Sequence, residues 1–390
     1  MNKNLALLAV SMFIWGIGEG MFLFLQPLYL EQLGADPVAI GSILSGFSAV
    51  MVIAHIPAGY LADKIGRRPL IWLSWGLGIL AATVMALADS LPGFVTGLFI
   101  YGLTFFVMSP LYSYATAARG RLSVGQAIMV ISSAFNLGMV IGPWLGGSLG
   151  EAHGLRSIFY VAAGVFTLAS VVVVFIAPQP IEPRHASQPR LNIFKNQKLI
   201  FYFGVVFLAV LTIYLPQPLS QNYLHNELGL NIATIGRVAA LAGLGVAGIN
   251  LLVSKLDPRL GIIIGQLAVG GYAFLLWRAP GIAWIGVGYF LLGGYKTTRA
   301  LLTAQTSHMV DSANIGFIFG VTETVGSIAA ILAALAAGVF YQFSPPSVYI
   351  ICMALLAPSI LLSWFLSPTP QAGQPLAINP VKSIAEEKAC

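Results

Sequence analysis

The sequence predicts an all-α membrane protein of twelve transmembrane helices, arranged as two pseudo-symmetric six-helix bundles. Three observations carry that prediction. Only 8% of the 390 residues are charged, against about 25% in soluble domains. Apolar residues make up 58% of the chain, its mean hydropathy is +0.87, and they fall in runs near the length that crosses a bilayer. The runs do not alternate as barrel strands would, so the backbone must satisfy its own hydrogen bonds as helices.

The expected spans are 6–30, 38–62, 70–88, 93–116, 124–149, 156–177, 199–221, 232–254, 260–277, 281–304, 313–340 and 347–366. The first starts near Leu5, is too long for a signal-peptide core and has no convincing cleavage site, so it counts as a span. Loops after even spans are basic, apart from the one after span 10, which has no Lys or Arg: Lys64, Arg67 and Arg68, then Arg119 and Arg121, then Arg184, Arg190, Lys195 and Lys198, then Lys255 and Arg259. Loops after odd spans carry Glu31, Asp36, Asp89, Glu151 and Glu227, with Arg156 and Arg278 as exceptions. By the positive-inside rule both termini are cytoplasmic, in a cell inner membrane or plasma membrane. The same pattern explains the net charge of +6 without nucleic acid. The absence of an Asn-x-Ser/Thr sequon agrees with a prokaryotic source.

Domain organisation follows from the longest connection. Residues 178–198 are basic and rich in proline (Pro178, Pro180, Pro183, Pro189), a cytoplasmic linker between bundles at 1–177 and 199–366. Residues 367–390 read as a disordered cytoplasmic tail. A short repeat flanks the linker: Ile40-Gly41-Ser42 returns as Ile235-Gly236-Arg237, each opening an apolar helix that ends in a charged loop, near Asp63 and near Asp257. Two halves related by duplication describe one broad class of carrier, with its site where the halves meet near the midplane.

The stretch from Gly59 to Pro69 packs one acid (Asp63) and three bases (Lys64, Arg67, Arg68) into six residues between two spans. An ordinary basic loop explains the bases but not the acid and the glycines at this spacing. With Gly59, Leu61, Ala62, Asp63, Lys64, Gly66, Arg67 and Arg68 in place, it resembles the signature loop of the major facilitator superfamily. The resemblance covers nearly the whole chain and implies a secondary transporter working by alternating access, with this loop gating it. Asp63 then pairs with Arg67 or faces the start of span 11, at Asp311-Ser312-Ala313-Asn314. Span 5 holds a second motif, Gly138-x-x-x-Gly142-Pro143-x-x-Gly146-Gly147, similar to the antiporter motif of drug/proton exporters in that superfamily. Close packing against a neighbouring helix explains it as well. One departure stands out: many proton-coupled exporters of the family carry an arginine within span 4, whereas the first arginine here is Arg119, at the span's edge.

Polar groups inside a membrane are costly and mark the bundle interior. Glu19 sits near the middle of span 1, with Trp15, Phe22 and Gln26 on its helical face. It is the first candidate for proton coupling, or for binding a substrate amine directly; a satisfied packing carboxyl is the bland reading. Glu323 of span 11 is the second, on a stripe with Phe319 and Ser327. Substrate-binding candidates are Phe22, Gln26, Tyr101, Tyr112, Asn136, Tyr214, Gln217, Gln221, Tyr289, Lys296 and Arg299. For the aromatics and amides singly, plain packing is an equal reading. At about 1.5 Å per residue, Lys296 lies about 12 Å and Glu323 about 15 Å inside the same face, so an ion pair between them is feasible, either locking span 10 to span 11 or leaving Glu323 as a proton or substrate switch. His55 reads as a helix-packing hydrogen bond, and Arg237 as snorkelling outward.

No Walker loop, His-Glu-x-x-His or Cys-x-x-Cys is present, and Gly146-Gly147-Ser148-Leu149-Gly150 ends a membrane helix rather than joining strand to helix. Neither an enzyme, a cofactor nor a metal is expected. The reading favours a proton-coupled exporter of small amphipathic organic compounds, acting as a monomer and driven by the proton gradient. The alternative is an uptake symporter or facilitator for a sugar or small organic anion; a transport-dead receptor on the same fold is the third.

Overall fold

A computed structural model describes residues 2–179, 196–310 and 315–367; the side chains of residues 56–64, 315 and 316 stand outside that description. The helices, in chain order, are α1 (Lys3–Leu23), α2 (Gln26–Gln32), α3 (Pro37–Ile65), α4 (Arg67–Leu87), α5 (Leu91–Leu103), α6 (Met108–Ala117), α7 (Val124–His153) and α8 (Leu155–Val174). The second half continues as α9 (Gln197–Tyr214), α10 (Ser220–Asn222), α11 (Ile232–Val253), α12 (Pro258–Arg278), α13 (Ile282–Leu292), α14 (Gly294–Gln305), α15 (Ile315–Phe343) and α16 (Ser347–Leu366). Eleven spans are long and apolar enough to cross a membrane, among the described residues. The remaining crossing, span 10, is made by α13 and α14 in tandem, each too short alone. The linker and the tail expected from the sequence lie almost wholly outside the described residues.

Spans 1, 4, 7 and 10 are the interrupted ones. Span 1 breaks at Phe24–Leu25, just before Pro27. Span 4 tightens into a 3-10 turn at Thr104–Val107. Pro110 there has no N–H to return to the carbonyl of Phe106. Span 7 breaks at 215–219, where Pro216 and Pro218 remove two donors, and span 10 breaks at Gly293. Broken helices at membrane depth are tolerated where they are buried in protein or line a cavity. By contrast α8 is unbroken and shows Tyr160, Leu168 and Val171 to the outside, an apolar strip that suits lipid.

The two bundles meet through α3 against α15 and α7 against α11. These contacts are equivalent. A Cβ on Gly41 would come within 3.0 Å of Gly338 Cα and 2.5 Å of Ala334 O; one on Gly236 would come within 2.8 Å of Gly147 Cα and 2.3 Å of Pro143 O. Only glycine allows so close an approach. Ser45 donates to Ile331 O at 2.8 Å beside the first pair. Nearby, Asn222 donates to Pro27 O at 3.2 Å and Asn226 to Glu31 Oε1 at 2.7 Å, and both pairs are separated by 195 residues. Ile40 and Ile235 show the same separation, so the short sequence repeat is the pseudo-twofold of the fold.

All of these contacts gather at one end, opposite the loop at 59–69. There Glu151, at the end of α7, accepts from the backbone N–H of Ile232 at 2.8 Å, at the start of α11. A carboxylate at a helix N-terminus satisfies orphan donors and faces the positive end of the helix dipole.

Candidate functional site

Glu19 lies buried in the middle of span 1. Its Oε2 accepts from Tyr101 Oη at 2.7 Å and from Trp15 Nε1 at 3.2 Å. Trp15 is one turn earlier on α1, so helical spacing alone brings its indole to the carboxylate. Tyr101 comes from α5, near the 3-10 turn. Around them stand Trp75, whose ring centroid is 4.8 Å from that of Trp15, and Phe166, at 4.3 Å. Trp75 Nε1 in turn donates to Ser11 Oγ at 2.9 Å, and Ser11 Oγ to Ala169 O at 2.8 Å. Burying a carboxylate needs such donors, because an unpaired charge inside protein is strongly disfavoured. Lys296, from the other bundle, is near enough for its charge to act on Glu19.

A cavity of about 20 Å³ adjoins Glu19, lined among others by Met12, Ser74, Thr104, Met108, Leu111 and Phe135. It sits within the first bundle, between α1, α4, α6 and α7.

The glycine stripe of span 5 positions this helix. Cβ atoms on Gly138, Gly142 and Gly146 would come within 2.3 Å of Phe13 O, 2.5 Å of Ile17 O and 2.2 Å of Met21 O. The stripe therefore seats α7 directly on the backbone of α1, around Glu19. Gly147 faces away from α1, onto Gly236 of the other bundle. One motif thus joins the Glu19 helix to the seam between the halves. Pro143 is accommodated within α7, its carbonyl against Gly236.

Glu323 pairs with Arg299 and not with Lys296, the partner the sequence made feasible. Arg299 Nη2 and Nε reach Glu323 Oε2 at 2.8 and 3.1 Å, Nη2 also donates to Ser327 Oγ at 3.2 Å, and Thr303 Oγ1 donates to Glu323 Oε1 at 2.8 Å. The reason is the helix end. After α14 the chain continues in a 3-10 turn, Thr306–Met309, so Lys296 sits higher than an end at 304 implied. Arg299, about one turn closer to that end, meets Glu323 at its own level. The pair is open to its surroundings, with side-chain exposures of 33% and 47%.

The other candidates separate by burial. Phe22, Tyr101 and Tyr289 are fully buried, Tyr289 donating to Ser220 Oγ at 3.2 Å. Gln26 and Gln221 are buried at the breaks of spans 1 and 7, and Gln26 Oε1 has no partner there. They are equivalent positions of the repeat. Gln217 returns its amide to Ile213 O at 2.7 Å, and Tyr214 is half-buried. Asn136 is exposed, one turn below Val140, which touches Gly243 of α11; Tyr112 is exposed on α6. His55 makes no packing hydrogen bond among the described residues; it is exposed and feels the charge of Glu323, on the opposite bundle. Arg237 bonds back to Ala233 O at 3.3 Å.

In the loop at 59–69, Gly66 has φ +85°, a conformation that favours glycine. Arg68 lies over the Trp72 ring at 4.0 Å and reaches Val174 O at 3.3 Å. The packing around Gly59, the side chain of Asp63, and residues 311–314 that were to receive Asp63 lie outside the described residues; Arg67 is engaged. Sequence reasoning missed Glu31, Glu151, Asn222, Asn226 and Trp75. The repeat that maps residue 31 onto residue 226 was the signal for two of them.

Residues 8–334 match the family described as Major Facilitator Superfamily. The chain belongs to that superfamily. It is a multi-pass membrane transporter, not an enzyme. Multidrug resistance protein MdtG of Proteus mirabilis is 25% identical, covering 95% of this chain and 97% of its own. Tetracycline resistance protein, class B, of Escherichia coli is 25% identical over 95% of this chain and 98% of its own. The solved nucleoside transporter NupG superposes with a TM-score of 0.77 at 14% identity, over 93% and 98% of the two chains. That likeness speaks for the fold. The superfamily member described here thus resembles drug-resistance transporters in sequence along its whole length.

Proposed function

We propose that the chain exports small amphipathic organic compounds in exchange for protons, by alternating access. The observation that carries this reading is Glu19: a carboxyl buried among Trp15, Tyr101 and Phe166, held by two donors, on the helix that the α7 glycine stripe clamps. A group of this kind suits reversible protonation inside a bundle. Glu323 is the second proton candidate. Its Arg299 partner favours a structural or switching role over a free charge for substrate. Two relatives are named for drug resistance, which supports export.

Alternating access is supported by the distribution of contacts between bundles. Among the described residues, every hydrogen bond named between them lies at the end opposite the 59–69 loop, while His55 and Glu323 toward the loop end are exposed. Rocking about the glycine seam would open one end as it closes the other. The positive-inside rule supports a cytoplasmic loop end, with both termini on that side. An uptake symporter for an organic anion is the second reading, favoured by Lys296 at the bundle interior.

Flux in proteoliposomes under an imposed pH gradient tests the proposal. Substrate moving against the protons supports it; movement with them favours the symporter. No flux across drugs, sugars and organic acids rejects both.

A further inference from the structure

The cavity beside Glu19 decides what that carboxyl handles. Glu19 Oε2 takes both donors, from Trp15 and Tyr101, and Oε1 accepts none among the described residues. Glu19 lines a cavity of about 20 Å³ together with the hydroxyl-bearing residues Ser74 and Thr104. Their hydroxyls already donate, Ser74 to Thr104 O at 2.9 Å and Thr104 to Tyr101 O at 2.7 Å, so each keeps acceptor capacity. A site of about 10–15 Å³ on this measure holds one water, provided two to four polar partners are at hand. The space at Glu19 is large enough for a water.

Direction follows from the helices. Met12 lies two turns before Glu19 on α1, and the lining continues with Met108 and Leu111 on α6. The cavity therefore runs from Glu19 toward the end of the bundle that carries the 59–69 loop. It lies inside one bundle, whereas Lys296 acts on Glu19 from the other bundle and Asn136 sits one turn from Val140, which packs toward Gly243 of α11.

We propose that this cavity is a single-water proton relay serving Glu19, separate from the path taken by substrate. The relay rests on the proton-coupling reading of Glu19. In the step, protonated Glu19 gives its Oε1 proton to the water, leaving carboxylate and hydronium; the reverse returns it. Trp15 and Tyr101 are positioning residues that hold the second oxygen toward the water. The titratable groups acting on Glu19 are Tyr101, from α5, and Lys296, from α14. From α4, α7 and α8 come Trp75, Phe135 and Phe166, which do not titrate.

The test fills the relay without touching the carboxyl. Leu111→Phe adds apolar volume to the cavity, and Thr104→Val removes one hydroxyl at constant shape. Gradient-driven transport in Leu111→Phe is expected to fall about a hundredfold, at the low end of what a positioned proton-transfer group supplies. Substrate exchange without a gradient is expected to stay within about twofold of the parent, which also shows that the variant folds. A second readout needs no transport: a pH jump followed by the Trp15 contribution to fluorescence, identified with Trp15→Phe. That signal should slow in Leu111→Phe and in Thr104→Val while keeping its amplitude. Parent-like driven transport and pH-jump rates in both variants overturn the relay if Glu19→Gln still loses driven transport. If Glu19→Gln keeps it, the proton-coupling reading itself fails. Protection of Glu19 from the pH jump by a bound cationic substrate would also overturn the relay.

Discussion

Asn226 donates to Glu31 at 2.7 Å, and the two residues are the same position of the repeat, 195 residues apart. On a twofold axis a residue meets its own counterpart, so a strictly duplicated chain would place identical side chains here. Two glutamates would repel. The pair has diverged into an acceptor and a donor, and Glu31 takes a second bond, from Asn222. Divergence at this one position turns a symmetric clash into a lock between the halves.

Asn226→Glu should reopen that lock. Two carboxylates at about 4 Å near a protein surface repel by roughly 4 kcal/mol. A membrane-impermeant thiol reagent would then label Ser45→Cys, buried at the α3–α15 seam, faster than in the parent, in a background with Cys352 and Cys390 replaced. Adding Glu31→Asn to Asn226→Glu, the reciprocal exchange, should bring labelling back down. Unchanged labelling in the single variant would refute the lock.

Gly147→Leu should force the seam apart. Its Cβ alone would meet Gly236 Cα and Ile232 O at 2.8 Å. Overpacking of this kind costs about 1–3 kcal/mol. Thermal unfolding in detergent should shift down for Gly147→Leu and stay put for Gly164→Leu, where nothing lies within 4 Å of the added atom.

Glu19→Gln should abolish gradient-driven transport while leaving substrate binding or exchange measurable. The amide keeps the shape and can still accept from Tyr101, but it cannot carry the proton. Driven transport at the parent's rate in this variant would remove Glu19 from coupling.

Arg299→Gln and Glu323→Gln should be non-additive in thermal stability, with a coupling of about 1 kcal/mol or less, because both groups are partly exposed. Lys296→Gln combined with Glu323→Gln should add independently. A coupling larger for Lys296 than for Arg299 would contradict the pairing.

Much of the site was legible because helical spacing is local. Trp15 and Glu19 are four residues apart, and that alone predicts their contact. The α7 glycines were legible as a smooth face, though not which helix they met. Glu323 was placed at the right depth but given the wrong partner, since the estimate rested on where α14 ends. A 3-10 extension of four residues, Thr306–Met309, moved Lys296 by about one turn relative to its expected neighbour.

By itself the sequence determined the fold class, the span count, the family and the candidate charges, because each rests on composition, period or a contiguous motif. Hydrocarbon leaves a chain this apolar no choice but helices, so those features need no knowledge of neighbours. Only the tertiary structure decided that Tyr101 holds Glu19, that Arg299 rather than Lys296 holds Glu323, and that Glu31 and Asn226 lock one end. Those are contacts between residues 24 to 195 positions apart. They depend on helix rotation and relative height, to which a one-turn shift is decisive and of which a sequence period carries no record.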